Sequence, residues 1–249
     1  MSMAVAWPYP RIMVHRCGGA LAPENTLAGL EVCRMAGMQG VEFDVMLSAD
    51  GSPFVIHDET LDRTTTGSGP VCDSTDAVLD AVDAGSPFHK AFAGEPLPRF
   101  EAMMAACRAY RLAVNIEIKP AAGFETDTGR IVATLAAEMT AGFPHPPLLS
   151  SFSEVALMRA ADAAPDLSRG WLVDRVPADW AFRARALGVV AIHTNCRFLD
   201  EATCRAIKAA GLFIAVYTEN DPVRGARLRA WGVDTLITDR PDRFLGFAA

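Results

Sequence analysis

The sequence has no surplus of positive charge. Its 23 Lys and Arg residues are outnumbered by 30 Asp and Glu, for a formal net charge of −7. That balance argues against a general nucleic-acid binder, which would need a basic surface to neutralise phosphates, and no nucleic-acid partner is expected. A small phosphate-containing substrate stays open, because a bound metal can supply positive charge locally. Long apolar runs are absent too. The apolar stretches are strand-length and broken by charge, far short of the roughly 20 residues a spanning helix needs, so no membrane insertion is expected. Residues 1–10 lack a basic segment followed by an apolar one and do not read as a signal peptide. The six cysteines (Cys17, Cys33, Cys72, Cys107, Cys196 and Cys204) include no Cys-x-x-Cys pair. Free thiols in a reducing, cytoplasmic compartment are the expectation. There is no internal repeat, low-complexity tract or linker-like stretch. Histidine is scarce at five residues, so the position of each one carries weight.

What is present is apolar bulk arranged with a rhythm. Hydrophobic residues make up 51% of 249 positions, enough for one large core, and the length suits a (β/α)₈ barrel of about 250 residues as a single domain spanning 1–249. Short apolar runs at 11–15, 40–46, 113–119, 148–152, 168–173, 189–194, 212–218 and 235–238 read as strands buried on both faces. Helix-like segments with capping residues separate them. Asp200 opens a helix with Thr203, Ile207 and Ala210 on one face and Gly211 at its end, and Ser153 opens another. Eight alternating units predict an α/β fold, a closed TIM barrel. The rhythm breaks twice. An Ala-Asp-Gly turn leads to a β-like run at 53–57, too close for a crossover helix and read as a hairpin at the barrel mouth. Residues 59–99 have little periodicity and are read as a small insertion capping the active-site face.

The chemistry is concentrated at strand ends. In Val41-Glu42-Phe43-Asp44-Val45 the two carboxylates are two residues apart, so a strand turns both to one face and Phe43 to the other. Asn115-Ile116-Glu117-Ile118-Lys119 repeats the arrangement, with the polar set inward and the isoleucines against helices. Three converging carboxylates, Glu42, Asp44 and Glu117, would repel one another and raise their own pKa values unless a cation joined them. An all-oxygen set suits Mg²⁺ or Ca²⁺ better than Zn²⁺. His15 and His57 each end a β-like run, where barrel enzymes keep catalytic groups, and a pair can divide the work of base and acid. Arg16 and Lys119 add the positive charge a phosphoryl group requires. Gly18-Gly19 is read as allowing close approach to a ligand. Asn25 or Thr26 is read as a helix cap, His193 receives no role, and His89 and His145 read as surface residues.

Together, His15-Arg16, Pro23-Glu24-Asn25-Thr26, Glu42-Phe43-Asp44-Val45, His57-Asp58, Asn115-Ile116-Glu117-Ile118-Lys119-Pro120 and Ile237-Thr238-Asp239-Arg240-Pro241 resemble the glycerophosphodiester phosphodiesterase family over nearly the whole chain. The resemblance implies a TIM barrel with an insertion after the second histidine. It implies hydrolysis of a small-molecule glycerophosphodiester to glycerol 3-phosphate and an alcohol, in the recovery of lipid breakdown products. By position it implies metal ligands Glu42, Asp44 and Glu117, the acid–base pair His15 and His57, phosphate binding by Arg16 and Lys119, and an aromatic substrate wall at Tyr217. Two positions depart from the family pattern. Cys17 stands where a glycine is usual, and Glu219 stands in Tyr217-Thr218-Glu219-Asn220 where valine is expected.

Overall fold

Strands form where β-branched and aromatic residues cluster between turn residues, and helices where a capping side chain opens a run of good helix formers. The computed structural model describes residues 6–247; the first five residues of the stretch read for a leader lie outside that range. In chain order the elements are β1 (Ile12–Val14), α1 (Leu27–Met35), β2 (Gly40–Leu47), β3 (Pro53–Val55), α2 (Asp76–Leu79), α3 (Phe100–Ala109), β4 (Ala113–Ile118), α4 (Glu125–Glu138) and β5 (Leu148–Ser151). There follow α5 (Glu154–Ala163), β6 (Arg169–Val173), α6 (Trp180–Leu187), β7 (Ala191–Asn195), α7 (Glu201–Ala209), β8 (Phe213–Tyr217), α8 (Pro222–Trp231) and β9 (Thr235–Thr238).

All strands except β3 run parallel, and β1 pairs with both β9 and β2, so eight strands close into the barrel the sequence predicts. Predicted strand ends fall within two residues of the observed ones. β3 runs antiparallel to β2, with Val45 opposite Val55, and forms the hairpin at the mouth. Among the described residues, no helix is long and apolar enough to cross a membrane.

The period of two sets the layers. Phe43 turns outward and meets Phe100 of α3, with ring centroids 6.4 Å apart. Ile116 and Ile118 also turn outward, into the cluster that holds Val132 and Ala136 of α4. The alternate positions Glu42, Asp44, Asn115 and Glu117 are left facing the barrel axis. Thr26 caps α1 by accepting from the Gly29 N–H at 3.0 Å, and Ser153 and Asp200 cap α5 and α7 in the same way. The predicted face of α7 needs one correction. Cys204 and Ile207 are buried, whereas Ala210 is exposed, because the helix ends at Ala209 and Gly211 turns the chain away at φ +82°.

Between β3 and α3 the chain builds a small core of its own. Leu61, Val71, Leu79 and Leu97 bury against Phe54 and Ile56 of the hairpin side. Arg99 fastens this segment, pairing with Asp76 and Asp80 while its guanidinium lies 4.8 Å from the Phe54 ring centroid. Inside the barrel, His193 is fully buried, and burial pushes its pKa down to about 4, so it stays neutral.

Candidate active site

The register of β2 against β4 places Glu42 beside Asn115 and Asp44 beside Glu117. Residues in register on parallel strands share a face, so the two sequence motifs become one polar layer at the C-terminal ends of the strands. Glu42, Asp44 and Glu117 each bring one oxygen within 4.8 Å of the others. Their relative exposures are only 3%, 1% and 8%. Burial, then the charges of Asp44 and Glu117, push the Glu42 carboxyl well above its usual range. Burial followed by the charge of Asp44 pushes Glu117 up to about 8. Three carboxylates so held cannot all ionise cheaply without a cation between them. The Asn115 Oδ1 atom, buried in the same layer, has no protein partner. An all-oxygen donor set with unmet negative charge fits a hard divalent cation.

Both histidines stand beside this cluster, and each has a carboxylate on its Nδ1. His15, following β1, donates from Nδ1 to Asp239 Oδ1 at 2.6 Å, and its Nε2 lies 4.0 Å from Glu42 Oε2. His57, beyond β3, donates from Nδ1 to Asp58 Oδ1 at 2.7 Å. Its Nε2 then accepts from Lys119 Nζ at 2.7 Å. Burial lowers the His57 pKa, with Arg16 and Lys119 adding to the effect against the opposing pull of Asp44 and Asp58. A carboxylate on Nδ1 fixes the tautomer and aims Nε2 at the site. Lys119 Nζ is also 3.9 Å from both Asp44 and Glu117. Arg16 donates its backbone N–H to Glu42 Oε2 at 3.0 Å, and its guanidinium to Glu24 at 2.8 Å. The Arg16 Nε atom, buried 3.8 Å from Asp44 Oδ2, has no hydrogen-bond partner in the protein. Tyr217 gives its hydroxyl to the Val173 carbonyl at 2.9 Å, so it offers the site a ring, which meets Phe152 edge-on at 6.0 Å.

The eight residues singled out in the sequence thus gather at one mouth. A cavity of about 480 Å³ opens beside His15 and Arg16, with Phe88 in its lining. Three further residues, Asp58, Asp239 and Glu24, take part without a role expected from the sequence, and a fourth, Asn25, takes a different role from the one expected. Asn25 donates to Asp44 Oδ2 at 2.9 Å instead of capping a helix. Asp58 and Asp239 orient the histidines, and Glu24 holds Arg16. Asp239 carries a signal that could have found it, a carboxylate one residue past the last barrel strand. Glu24 and Asn25 were hidden by their resemblance to a helix start.

The glycerophosphoryl diester phosphodiesterase family profile matches residues 15–243. The chain belongs to that family. It is an enzyme, a hydrolase of the phosphodiesterase class. A curated glycerophosphodiester phosphodiesterase from Caldanaerobacter subterraneus subsp. tengcongensis is 31% identical over 237 residues, covering 94% of this chain and 96% of the relative. Among solved structures, a phosphodiesterase from Oleispira antarctica in complex with the product sn-glycerol-3-phosphate is similar, with a TM-score of 0.89 and 33% identity. That match covers 96% of each chain. A glycerophosphodiester phosphodiesterase from Agrobacterium tumefaciens gives a TM-score of 0.80 at 31% identity, covering 95% of this chain and 99% of that one.

At the two positions that depart from the family pattern the side chains turn away from the candidate site, although the Cys17 backbone N–H donates to the Glu42 carbonyl at 3.0 Å. Cys17 is fully buried, its thiol 3.7 Å from Met103 Sδ in the outer core. Burial pushes that thiol well above its usual pKa. Glu219 is fully buried and taken up by Arg224 and the Asp221 N–H. Gly18 and Gly19 also approach protein closely, and Gly19 lines the cavity beside His15. A Cβ on Gly18 would meet Ala22 and Gly29 at 2.9 Å, and one on Gly19 would meet the Asp239 carbonyl oxygen at 2.3 Å. Gly19 also has φ +57°. Gly19→Ala is therefore expected to destabilise the fold by roughly 2 kcal/mol or more, and to slow turnover by shifting Asp239 off His15. Urea denaturation measures the first effect; unchanged stability would refute the close approach.

Proposed function

We propose that this chain hydrolyses small glycerophosphodiesters to glycerol 3-phosphate and an alcohol. One divalent cation, Mg²⁺ or Ca²⁺, would be held by Glu42, Asp44 and Glu117, with His15 and His57 as the acid–base pair. The observation that carries the reading is three buried carboxylates converging between two histidines, each with its own carboxylate on Nδ1. The product found in the Oleispira antarctica relative supports the substrate class. When bound, the cation supplies Lewis-acid neutralisation of charge on the phosphate oxygens.

The remaining chemistry belongs to side chains. Arg16, with its unpartnered Nε, and Lys119 donate to the non-bridging phosphate oxygens and fix the phosphorus for in-line attack. His57 is presented as the base that takes the proton of the attacking hydroxyl, either the glycerol 2-hydroxyl (through a cyclic phosphate that water then opens) or a water. Its Nδ1 proton is held on Asp58, and Nε2 is left as an acceptor, which Lys119 occupies until phosphate draws the ammonium away. His15, backed by Asp239, then gives the Nε2 proton to the leaving alcohol oxygen. The rings of Tyr217 and Phe152 wall the substrate. The chain is proposed to act as a single barrel domain with 59–99 as an insertion at the mouth. Six unpaired thiols favour a reducing, cytoplasmic compartment.

The test is metal-stripped protein with glycerophosphocholine, with and without Mg²⁺ or Ca²⁺, followed by release of glycerol 3-phosphate. Metal-restored release is expected; no release with either ion would overturn the reading. Stability should report the same site. The Glu117 carboxyl moves from 4.5 to about 8, so between those values the metal-free folded state binds more protons than the unfolded one. Its stability therefore falls as pH rises through that window. Buried neutral His193, whose pKa falls from 6.5 to about 4, acts in the opposite direction but only below pH 6.5. From there to pH 8 the Tm of metal-free protein is expected to fall, and added cation to remove the decline. A flat profile in both conditions would count against the carboxylate cluster as the cation site.

A further inference from the structure

One charged group at the mouth is unused by the proposed reaction. Arg63 lies on the segment between β3 and α3, in sequence whose lack of periodicity gave no reason to single it out. Its guanidinium faces two carboxylates at once. Nε and Nη2 donate to Asp58 Oδ2 and Oδ1 at 2.5 and 2.8 Å. Nη1 and Nη2 donate to Glu24 Oε2 and Oε1, both at 2.8 Å. Asp58 is the carboxylate on His57 Nδ1, and Glu24 is the carboxylate on Arg16. One side chain of the insertion therefore joins the partner of the base to the partner of the phosphate-binding arginine.

We propose that Arg63 is a positioning residue for both groups. It sets the His57 ring through Asp58 and the Arg16 guanidinium through Glu24. The inference rests on the roles given above to His57 and Arg16. The chemistry of the clamp calls for arginine. A planar fork of five N–H donors can hold two carboxylates edge-on at the same time; a lysine ammonium is a point charge and cannot fix both planes.

The clamp has little structural value. The Arg63 side chain is 49% exposed, and exposed ion pairs contribute little to folding because water and salt screen them. Its worth lies in geometry and local charge. Without the guanidinium, Asp58 and Glu24 would be left as neighbouring anions and would separate, letting the His57 ring turn and Arg16 drift. The mouth would also gain negative charge facing an anionic diester. Arg63 further lines the cavity of about 480 Å³ beside His15, so the clamp and the substrate entrance share a wall.

The test compares Arg63→Ala, Arg63→Gln and Arg63→Lys with the parent enzyme on glycerophosphocholine plus divalent cation. For all three, kcat is expected to fall about 10–100-fold, in line with loss of an orienting partner. KM should rise most in the Ala and Gln variants, which also lose the charge. Tm should stay within about 2 °C of the parent, and added guanidinium should restore part of the kcat of Arg63→Ala. Nitrogen-15 spectra of the histidine rings give a readout independent of turnover. The His57 imidazole should be a single Nδ1–H tautomer in the parent and a mixture in Arg63→Ala. Parent-like kcat in Arg63→Ala or Arg63→Lys, or an unchanged tautomer, would overturn the proposal. If the parent itself turned over no diester, the functional reading would fail, and the tautomer measurement would still decide whether the clamp exists.

Discussion

Asp44→Asn is expected to lower diester turnover by about 10³-fold or more and to abolish thermal stabilisation by Mg²⁺ or Ca²⁺. Asp44 sits at the centre of the charge balance. It accepts from Asn25 at 2.9 Å, lies 3.8 Å from Arg16 Nε and 3.9 Å from Lys119 Nζ, and is within reach of both other carboxylates. The amide keeps the shape but removes the negative charge that the two basic side chains, and the proposed cation, answer. Charge stabilisation by a catalytic metal is worth several kcal/mol, and about 4 kcal/mol corresponds to 10³ in rate. Calorimetric titration with each ion, beside the turnover assay, checks both halves. Parent-like turnover in Asp44→Asn would remove it from the site. Glu117→Gln supplies a control of opposite sign. It should lose cation binding too, yet at pH 8 its metal-free form should be more stable than the parent, because the carboxyl raised to about 8 no longer resists ionisation there.

The second large effect concerns the histidines. His15→Ala and His57→Ala should each cut kcat by about 10²–10⁴-fold on glycerophosphocholine, the usual contribution of a positioned acid or base. Their separation comes from the leaving group. A diester carrying p-nitrophenol needs little protonation as it departs, so it should recover most of its rate in the variant lacking the acid and little in the variant lacking the base. Under the proposed roles the acid is His15, with Nδ1 on Asp239, and the base is His57, whose Nε2 faces Lys119. Recovery in His57→Ala instead would reverse the assignment. Equal, near-parent turnover in both variants would end the two-histidine reading.

Much of this site was legible in the linear sequence because strand periodicity is local. Glu42 with Asp44, and Asn115 with Glu117, stand two apart, and that spacing alone turns each pair to one face. His15 and His57 were legible because each ends an apolar run. Arg16 and Lys119 were legible by adjacency. The residues whose surroundings the sequence left open also share a cause. Gly18-Gly19, Cys17 and Glu219 all lie in loops, where no period states which way a side chain points. Cys17 turns outward into the core at φ +67°, and Glu219 turns under α8 to meet Arg224. Asn25 and Thr26 are adjacent and equally able to cap, yet Thr26 caps α1 while Asn25, at φ +58°, reaches Asp44.

The sequence by itself therefore determined the (β/α)₈ rhythm, the inward carboxylates and the two strand-end histidines, since each follows from spacing along one segment. Only the tertiary structure decided which loops meet. Asp239 reaches His15 across 224 residues because β1 pairs with β9 when the barrel closes. Arg63 reaches Glu24 across 39 residues because the insertion folds back over the mouth. Such contacts join side chains whose own segments carry no period. Barrel closure and loop packing bring them together, and those are properties of the whole chain.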